Sequence, residues 1–299
     1  MVPITDLIPK TAADPNLVVW GDNLAAMRQL PVGSVDLIYV DPPFGTGRTQ
    51  SLTPIKVAAT EGPRGPDQRE GFGGRTYDVV DTGTTIDYAD TFEDYIGFLM
   101  PRLEEGIRLL KPSGTLMVHL DYRNVHYIKV ELDRLLGRDH FLNEIIWAYD
   151  YGGRSKTRWS QKHDTILVYV KDPDNYTFAL DRCDRIPYMA PGLVGAEKAE
   201  RGKFPTSVHW CTIVPTNGVE RTGYPTQKPK RLVGRFIDVH SNPGDLVLDF
   251  FAGSGTTGEC AWEAGRRFIM IDESSDAIET MRKRYDRVFG PDRVRFTSM

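Results

Sequence analysis

Residues 246–258 read LVLDFFAGSGTTG, an apolar run of strand length that breaks into a glycine loop and then into a helix-forming stretch. Gly253, Gly255 and Gly258 satisfy G-x-G-x-x-G in the one setting that gives the pattern meaning, between a strand and a helix. Asp272 ends the next apolar run, RFIMID. Strand, tight turn, helix and a second strand closed by an acid make an α/β unit with a parallel sheet. Glycines let the backbone approach a nucleotide closely, and an acid at the next strand end can accept hydrogen bonds from ribose hydroxyls.

Two ligand classes use such a loop, and two features separate them. The loop lies near the C-terminus, which leaves too few strands after Asp272 for the second half of a dinucleotide fold. Asp249 also stands directly before the glycines, in DFFA. A carboxylate there would repel a pyrophosphate but suits a ligand carrying an ammonium and a sulfonium. S-adenosylmethionine meets that requirement, and a nicotinamide dinucleotide does not.

A second strand of the same character, VDLIYV at 35–40, ends in Asp41-Pro42-Pro43-Phe44. Its near-continuous apolarity predicts a strand buried on both faces, and two prolines cannot continue a central ladder. The tetrapeptide is therefore a loop at the strand's carboxyl end. An exocyclic amine on a nucleobase is a poor nucleophile because its lone pair is delocalised into the ring. Two acceptors that hold its N–H bonds can turn the lone pair outward. Asp41 offers a carboxylate and Pro42 a rigid carbonyl, Pro43 stiffens the loop, and Phe44 presents a face for an extruded base.

Between these strands and around them the periodicity predicts an α/β succession. Helices are expected near 24–30, 92–110, 125–136, 229–240, 256–264 and 275–285, and strands at 17–20, 115–119, 144–149, 165–171 and 294–296. Pro101 is expected to divide or kink the second helix. Residues 45–90 lose periodicity and read as an irregular, mobile flap beside the DPPF loop. Residues 172–223 are also irregular.

The net charge of −4 argues weakly against nucleic acid, since binding depends on where positive charge is concentrated. Two basic runs qualify. GGRSKTRWSQKH at 152–163 carries Arg154, Lys156, Arg158 and Lys162 around Trp159 and reads as a phosphate-gripping loop. Lys228, Lys230, Arg231 and Arg235 form the other, which charge alone leaves open as a solvated face. Cys183, Cys211 and Cys260 form no C-x-x-C pair, so neither a disulfide framework nor a metal site is expected. They follow Arg182, Trp210 and Glu259 rather than a proline, which excludes methylation at cytosine carbon 5. No apolar run reaches the roughly 18 residues of a membrane span, and the N-terminus lacks the layout of a secretion signal, so a cytoplasmic protein is expected.

VDLIYVDPPFGTGR, LLKPSGTLMVHLD, KHDTILVYVK, YPTQKPKRLVGRFI and LVLDFFAGSGTTGECAWEAGRRFIMIDES together span almost the whole chain. In these stretches, and in their order, the sequence resembles the amino DNA methyltransferases of bacteria, archaea and phages in which DPP(Y/F) precedes the cofactor loop. The resemblance implies a Rossmann-like methyltransferase fold, S-adenosylmethionine as cofactor and double-stranded DNA as substrate. It implies a catalytic domain of 1–171 and 224–299, with target recognition at 172–223. It assigns Asp41, Pro42, Pro43 and Phe44 to the amine site. To the cofactor it assigns Asp22, Asp41, Gln227, Lys228, Asp249, Phe251, Ala252, Gly253, Gly255, Thr256, Thr257 and Asp272, although a plain helix cap explains Asp22 equally well. DNA contacts fall to Arg48, Arg154, Lys156, Arg158, Trp159, Lys162 and His163, the aromatic pair Trp159 and His163 facing the target base. A homodimer and a cognate restriction endonuclease are the implied protein partners. Asp as the first residue of the tetrapeptide favours adenine N6 over cytosine N4. More distant alternatives are methylation of RNA or of a protein glutamine, and a binding protein that keeps the fold without catalysis.

Overall fold

The computed structural model describes residues 3–45 and 94–299, together with the backbone of five strands between them. A nine-stranded sheet forms the body. Its centre is built by β2 (Val35–Val40), which pairs in parallel with β8 (Leu110–Leu120) on one side and β12 (Leu246–Asp249) on the other. Beyond β12 come β13 (Arg267–Asp272), β1 (Asn16–Trp20) and β14 (Val294–Ser298), all parallel. Beyond β8 comes β10 (His163–Val170), antiparallel both to β8 and to β9 (Phe141–Ala148). A short strand, β11 (Val208–Trp210), pairs in parallel with β9 and ends that side.

VDLIYV is buried along its whole length because helices cover both faces. Ile38 and Val40 point into a core with α1 (Asn23–Met27), α2 (Tyr95–Leu109) and α3 (Val125–Leu136). Leu37 and Tyr39 point the other way, toward α5 (Lys230–His240), α6 (Thr256–Glu263) and α7 (Ser275–Phe289). The two-residue period of the strand thus supplies both cores at once. Asp36, the one acid in the run, accepts Lys111 Nζ at 2.8 Å and the Leu246 N–H at 2.9 Å, locking three neighbouring strands together.

Helix ends follow their capping chemistry. The Asp94 carboxylate accepts from Gly97 N at 2.8 Å, and the Ser274 hydroxyl from Ala277 N at 3.4 Å. Pro101 does not divide its helix: α2 runs unbroken through it. The stretch read as irregular at 45–90 is another correction. It holds β3 (Arg48–Leu52) against β7 (Ile86–Asp90), and β6 (Thr76–Thr82) between β4 (Ile55–Thr60) and β5 (Gln68–Glu70), all antiparallel. Short strands interrupted by charged residues and Thr lack the sustained apolar alternation by which half-buried strands are recognised. The 172–223 region carries α4 (Ala196–Arg201) and also β11, so part of it belongs to the main sheet.

Candidate active site

β2 and β12 lie side by side with Ile38 opposite Leu248, so their carboxyl ends open at one edge of the sheet. Asp41 and Asp249 end those two strands, and Asp272 ends β13 next to them. All three carboxylates line a single cavity of about 290 Å³. Ligands of open α/β sheets bind at this edge, and the chain here brings together two motifs far apart in sequence.

The glycine loop forms one wall. Asp249 accepts the Phe251 N–H at 3.0 Å and the Thr257 hydroxyl at 2.7 Å, and burial pushes its carboxyl up to about 7. Asp272 accepts the Gly253 N–H at 2.8 Å and the Ser274 N–H at 2.9 Å, and burial raises it to about 6. Gly253, at φ +48°, sits where a Cβ would meet the Tyr224 ring at 3.2 Å. Gly255 has another reason to be glycine. It does not line the cavity, and a Cβ there would meet Tyr285 Oη at 2.5 Å and Met281 Cγ at 2.7 Å on α7.

Opposite this wall, Lys228 Nζ binds Asp41 Oδ2, both side chains largely buried. Asp41 Oδ1 is buried and takes no hydrogen bond among the described residues. Pro43 lines the cavity beside Asp41, whereas Pro42 and Phe44 lie just outside it. Asn124 Nδ2 donates to the Phe44 carbonyl at 2.7 Å, and the Lys228 ammonium stands 5.1 Å from the Phe44 ring centre. Gln227 lines the cavity while its amide is held by Thr222 and by the Glu220 carbonyl.

Of the residues expected at the cofactor, Asp41, Gln227, Lys228, Asp249, Phe251, Ala252, Gly253, Thr256, Thr257 and Asp272 line this cavity. Asp22 does not. Its carboxylate caps α1 through Ala25 N at 2.8 Å and pairs with Arg102, while the adjacent Asn23 reaches the cavity. Arg102 and Tyr224 also line it, and sequence reasoning misses both. Arg102 lies in no motif, and in YPTQKP the Gln and Lys draw the eye from the Tyr.

The basic loop divides. Arg154, Lys156 and Arg158 are exposed, and Trp159 is 99% exposed and is not part of the cavity lining. Lys162 instead ties the loop, donating to the carbonyls of Tyr151 and Gly152 at 2.7 Å each. His163 starts β10 and contacts Gln161, and it too is absent from the cavity wall. The Arg48 side chain lies outside the described residues. Most of the second basic run is consumed by ion pairs: Lys228 meets Asp41, Lys230 meets Glu259 and Glu263, and Arg235 meets Asp184, while Arg231 stays exposed. All three cysteines are buried and free, and burial raises the Cys183 thiol to about 11. No group of side chains suited to a metal ion occurs among the described residues, nor does any helix long and apolar enough to cross a membrane.

Comparison with known proteins places this geometry in context. Residues 35–283 match the family of N6/N4 methyltransferases described as DNA methylase. The chain is 32% identical over 276 residues to the Type II methyltransferase M.HpaI of Haemophilus parainfluenzae, covering 91% of this chain and 74% of the relative. It is 29% identical over 282 residues to the DNA adenine methyltransferase YhdJ of Escherichia coli K12, covering 90% and 82%. Among solved structures, the PvuII cytosine-N4-specific DNA methyltransferase superposes with a TM-score of 0.59 at 16% identity, covering 98% of both chains. M1.HpyAVI in complex with S-adenosylmethionine superposes at 0.57 with 21% identity, covering 90% of this chain and 99% of the other.

Proposed function

The chain belongs to the DNA methylase family of S-adenosylmethionine-dependent N6-adenine and N4-cytosine methyltransferases, and on that premise we propose that it methylates adenine N6 in double-stranded DNA, with Asp41 as the residue that holds the amine. One observation carries the assignment. Asp41 Oδ2 is occupied by Lys228, while Oδ1 is a buried acceptor with no partner among the described residues, on a side chain that lines the same cavity as the glycine loop.

The cavity's chemistry fits the cofactor. Asp249 and Asp272 are carboxylates that burial first, and neighbouring carboxylates next, make reluctant to ionise, so a cation beside them relieves the cost. Gly253 brings backbone to the wall at a position a side chain would fill. Asp249 is the residue suited to the cationic amino-acid end. Asp272 keeps lone pairs beyond the two it uses for Gly253 and Ser274, and those suit ribose hydroxyls. Bound there, S-adenosylmethionine supplies a methyl group activated by a sulfonium.

This chain's own part is alignment. Asp41 Oδ1 accepts one N–H of the base amine and the Pro42 carbonyl the other, which directs the lone pair away from both. Lys228 fixes the carboxylate's orientation. Phe44 offers the extruded base a stacking face. Positioning of this kind can supply up to about 7–11 kcal/mol of the barrier. Arg154, Lys156 and Arg158 hold the phosphates of a duplex whose sequence is read by the 172–223 region, in the cytoplasm, by a homodimer paired with a restriction endonuclease. Asp41 as first residue of the tetrapeptide favours adenine, since related enzymes acting on cytosine N4 mostly carry Ser there.

Nucleoside mass spectrometry of DNA from a methylation-deficient host expressing the protein tests the reading. N6-methyladenine is expected. N4-methylcytosine alone would change the base and leave the site standing, and neither product would overturn the function.

A further inference from the structure

Beneath Phe44 lies a buried polar chain that the amine chemistry does not use. His119, on β8, is wholly buried. Its Nδ1 stands 2.8 Å from the Tyr39 hydroxyl and its Nε2 3.2 Å from Asp164 Oδ2, and the Tyr149 hydroxyl donates to the other oxygen of Asp164 at 3.3 Å. Although burial raises Asp164, the hydrogen bond from His119 holds it below its ordinary value, so it is a carboxylate and can only accept. Burial, with the charge of Asp41 next, pushes the Tyr39 hydroxyl well above its usual range, so it keeps its proton and can donate. One arrangement of the His119 ring satisfies both neighbours: Nε2–H donates to Asp164, and Nδ1 accepts from Tyr39.

Three elements thus fix one ring, Tyr39 from β2, His119 from β8 and Asp164 from β10. The ring in turn supports Phe44. The two stack with centroids 6.0 Å apart and 29° between planes, and Trp147 closes the side of His119 edge-on at 5.5 Å and 85°. A polar triad in an apolar core costs desolvation and would be replaceable by packed hydrophobes if stability were its only purpose.

We propose that His119 is a positioning residue for the target base, clamped between Tyr39 and Asp164 so that the Phe44 ring is held at the angle on which the extruded base stacks. The proposal rests on the methyltransferase reading and names how that site orients its substrate. His119 does not touch the reacting atoms. It acts through Phe44, and a stacking platform that tilts misplaces the amine relative to Asp41 Oδ1.

The test is a double-mutant cycle on unmethylated DNA, with cofactor affinity measured separately by calorimetry. Tyr39→Phe deletes one tether and Asp164→Asn strips the other of its charge, each with almost no change in volume, and Phe44→Leu removes the platform. Each tether variant is expected to lower kcat at least tenfold while the Kd for S-adenosylmethionine stays within twofold. Adding Phe44→Leu to Asp164→Asn should cost little more than Phe44→Leu alone, because both act on one ring. A merely structural role predicts losses that multiply. Wild-type kcat in both tether variants, or full multiplication in the cycle, overturns the clamp. A wild-type protein that methylates neither adenine nor cytosine fails at the reading itself, a result distinguishable from indifferent variants of an active enzyme.

Discussion

Lys228 Nζ meets Asp41 Oδ2 inside the cavity, although the two residues stand 187 positions apart in the chain. The pair joins the DPPF loop to the TQKP segment and leaves the other carboxylate oxygen, Oδ1, without a partner among the described residues. Removing one partner of a buried ion pair strands the other, at a cost of about 3–5 kcal/mol. Lys228→Met is therefore expected to lower both the melting temperature and kcat, read by calorimetry and by radiolabelled methyl transfer.

Asp41→Ala separates catalysis from cofactor binding. A hydrogen bond to a charged group contributes about 1.5–3 kcal/mol, so turnover should fall at least about ten- to a hundredfold. Cofactor affinity should largely survive, because Asp249, Asp272 and the loop remain. Near wild-type methylation would reduce Asp41 to a turn residue.

Cofactor binding should depend on protons. The Asp249 carboxyl, buried and pushed up to about 7, is largely protonated in acid and ionised above neutrality. A cationic ligand prefers the ionised form, so affinity should rise as pH increases through about 7 and weaken below it. The stability of the ligand-free protein runs the other way. A folded value above the ordinary 3.8 contributes stability that is complete below that value and is lost as pH rises through about 7. Asp249→Asn should flatten both trends, measured as Kd and melting temperature from pH 5 to about pH 8.5.

Neutralising Arg154, Lys156 and Arg158 together should weaken DNA binding at every sequence. The slope of log affinity against log salt should shrink by about 0.9 for each phosphate that these side chains no longer neutralise. Lys230→Ala serves as the contrast: its ammonium is consumed by Glu259 and Glu263, so it should cost stability and leave the salt slope unchanged.

Gly255→Ala should destabilise the fold more than Gly253→Ala. At Gly255 a Cβ meets Tyr285 Oη and Met281 Cγ at under 3 Å, and the backbone sits at φ +73°. The left-handed conformation alone costs about 1–2 kcal/mol, and overpacking adds about 1–3 kcal/mol. At Gly253 the nearest atom is the Tyr224 ring edge at 3.2 Å, inside the cavity, so the effect should fall more on cofactor affinity. Thermal melts and calorimetry distinguish the two.

Except for β11, the strands of the main sheet were legible in the sequence because they carry strong local signals. VDLIYV and RFIMID are continuous apolar runs, and Asp94, Ser274 and the glycines punctuate them. The convergence of Asp41, Asp249 and Asp272 followed from each ending a strand. Other features had no local signature. The strands within 45–90 lack apolar alternation, and the charges of Lys230 and Arg235 look like surface until their partners Glu259 and Asp184 arrive from elsewhere in the chain. His119 and Asp164 could have been noticed as polar residues within the apolar runs LMVHLD and KHDTILVYVK. Their pairing with each other and with Tyr39 needs three strands in register, which no single segment displays.

Asp36 and Leu246 are hydrogen-bonded neighbours separated by 210 positions, and that separation sets a schedule for the nascent chain. At about 5–20 residues per second, the strand bearing DPPF leaves the ribosome on the order of ten to forty seconds before its partner does. Through that interval β2 can pair only with β8, and its other flank is an open edge of mostly apolar side chains, the kind that recruits foreign strands. A transcript cut short before Leu246 yields a protein with its amine site written in full and its aggregation seam exposed.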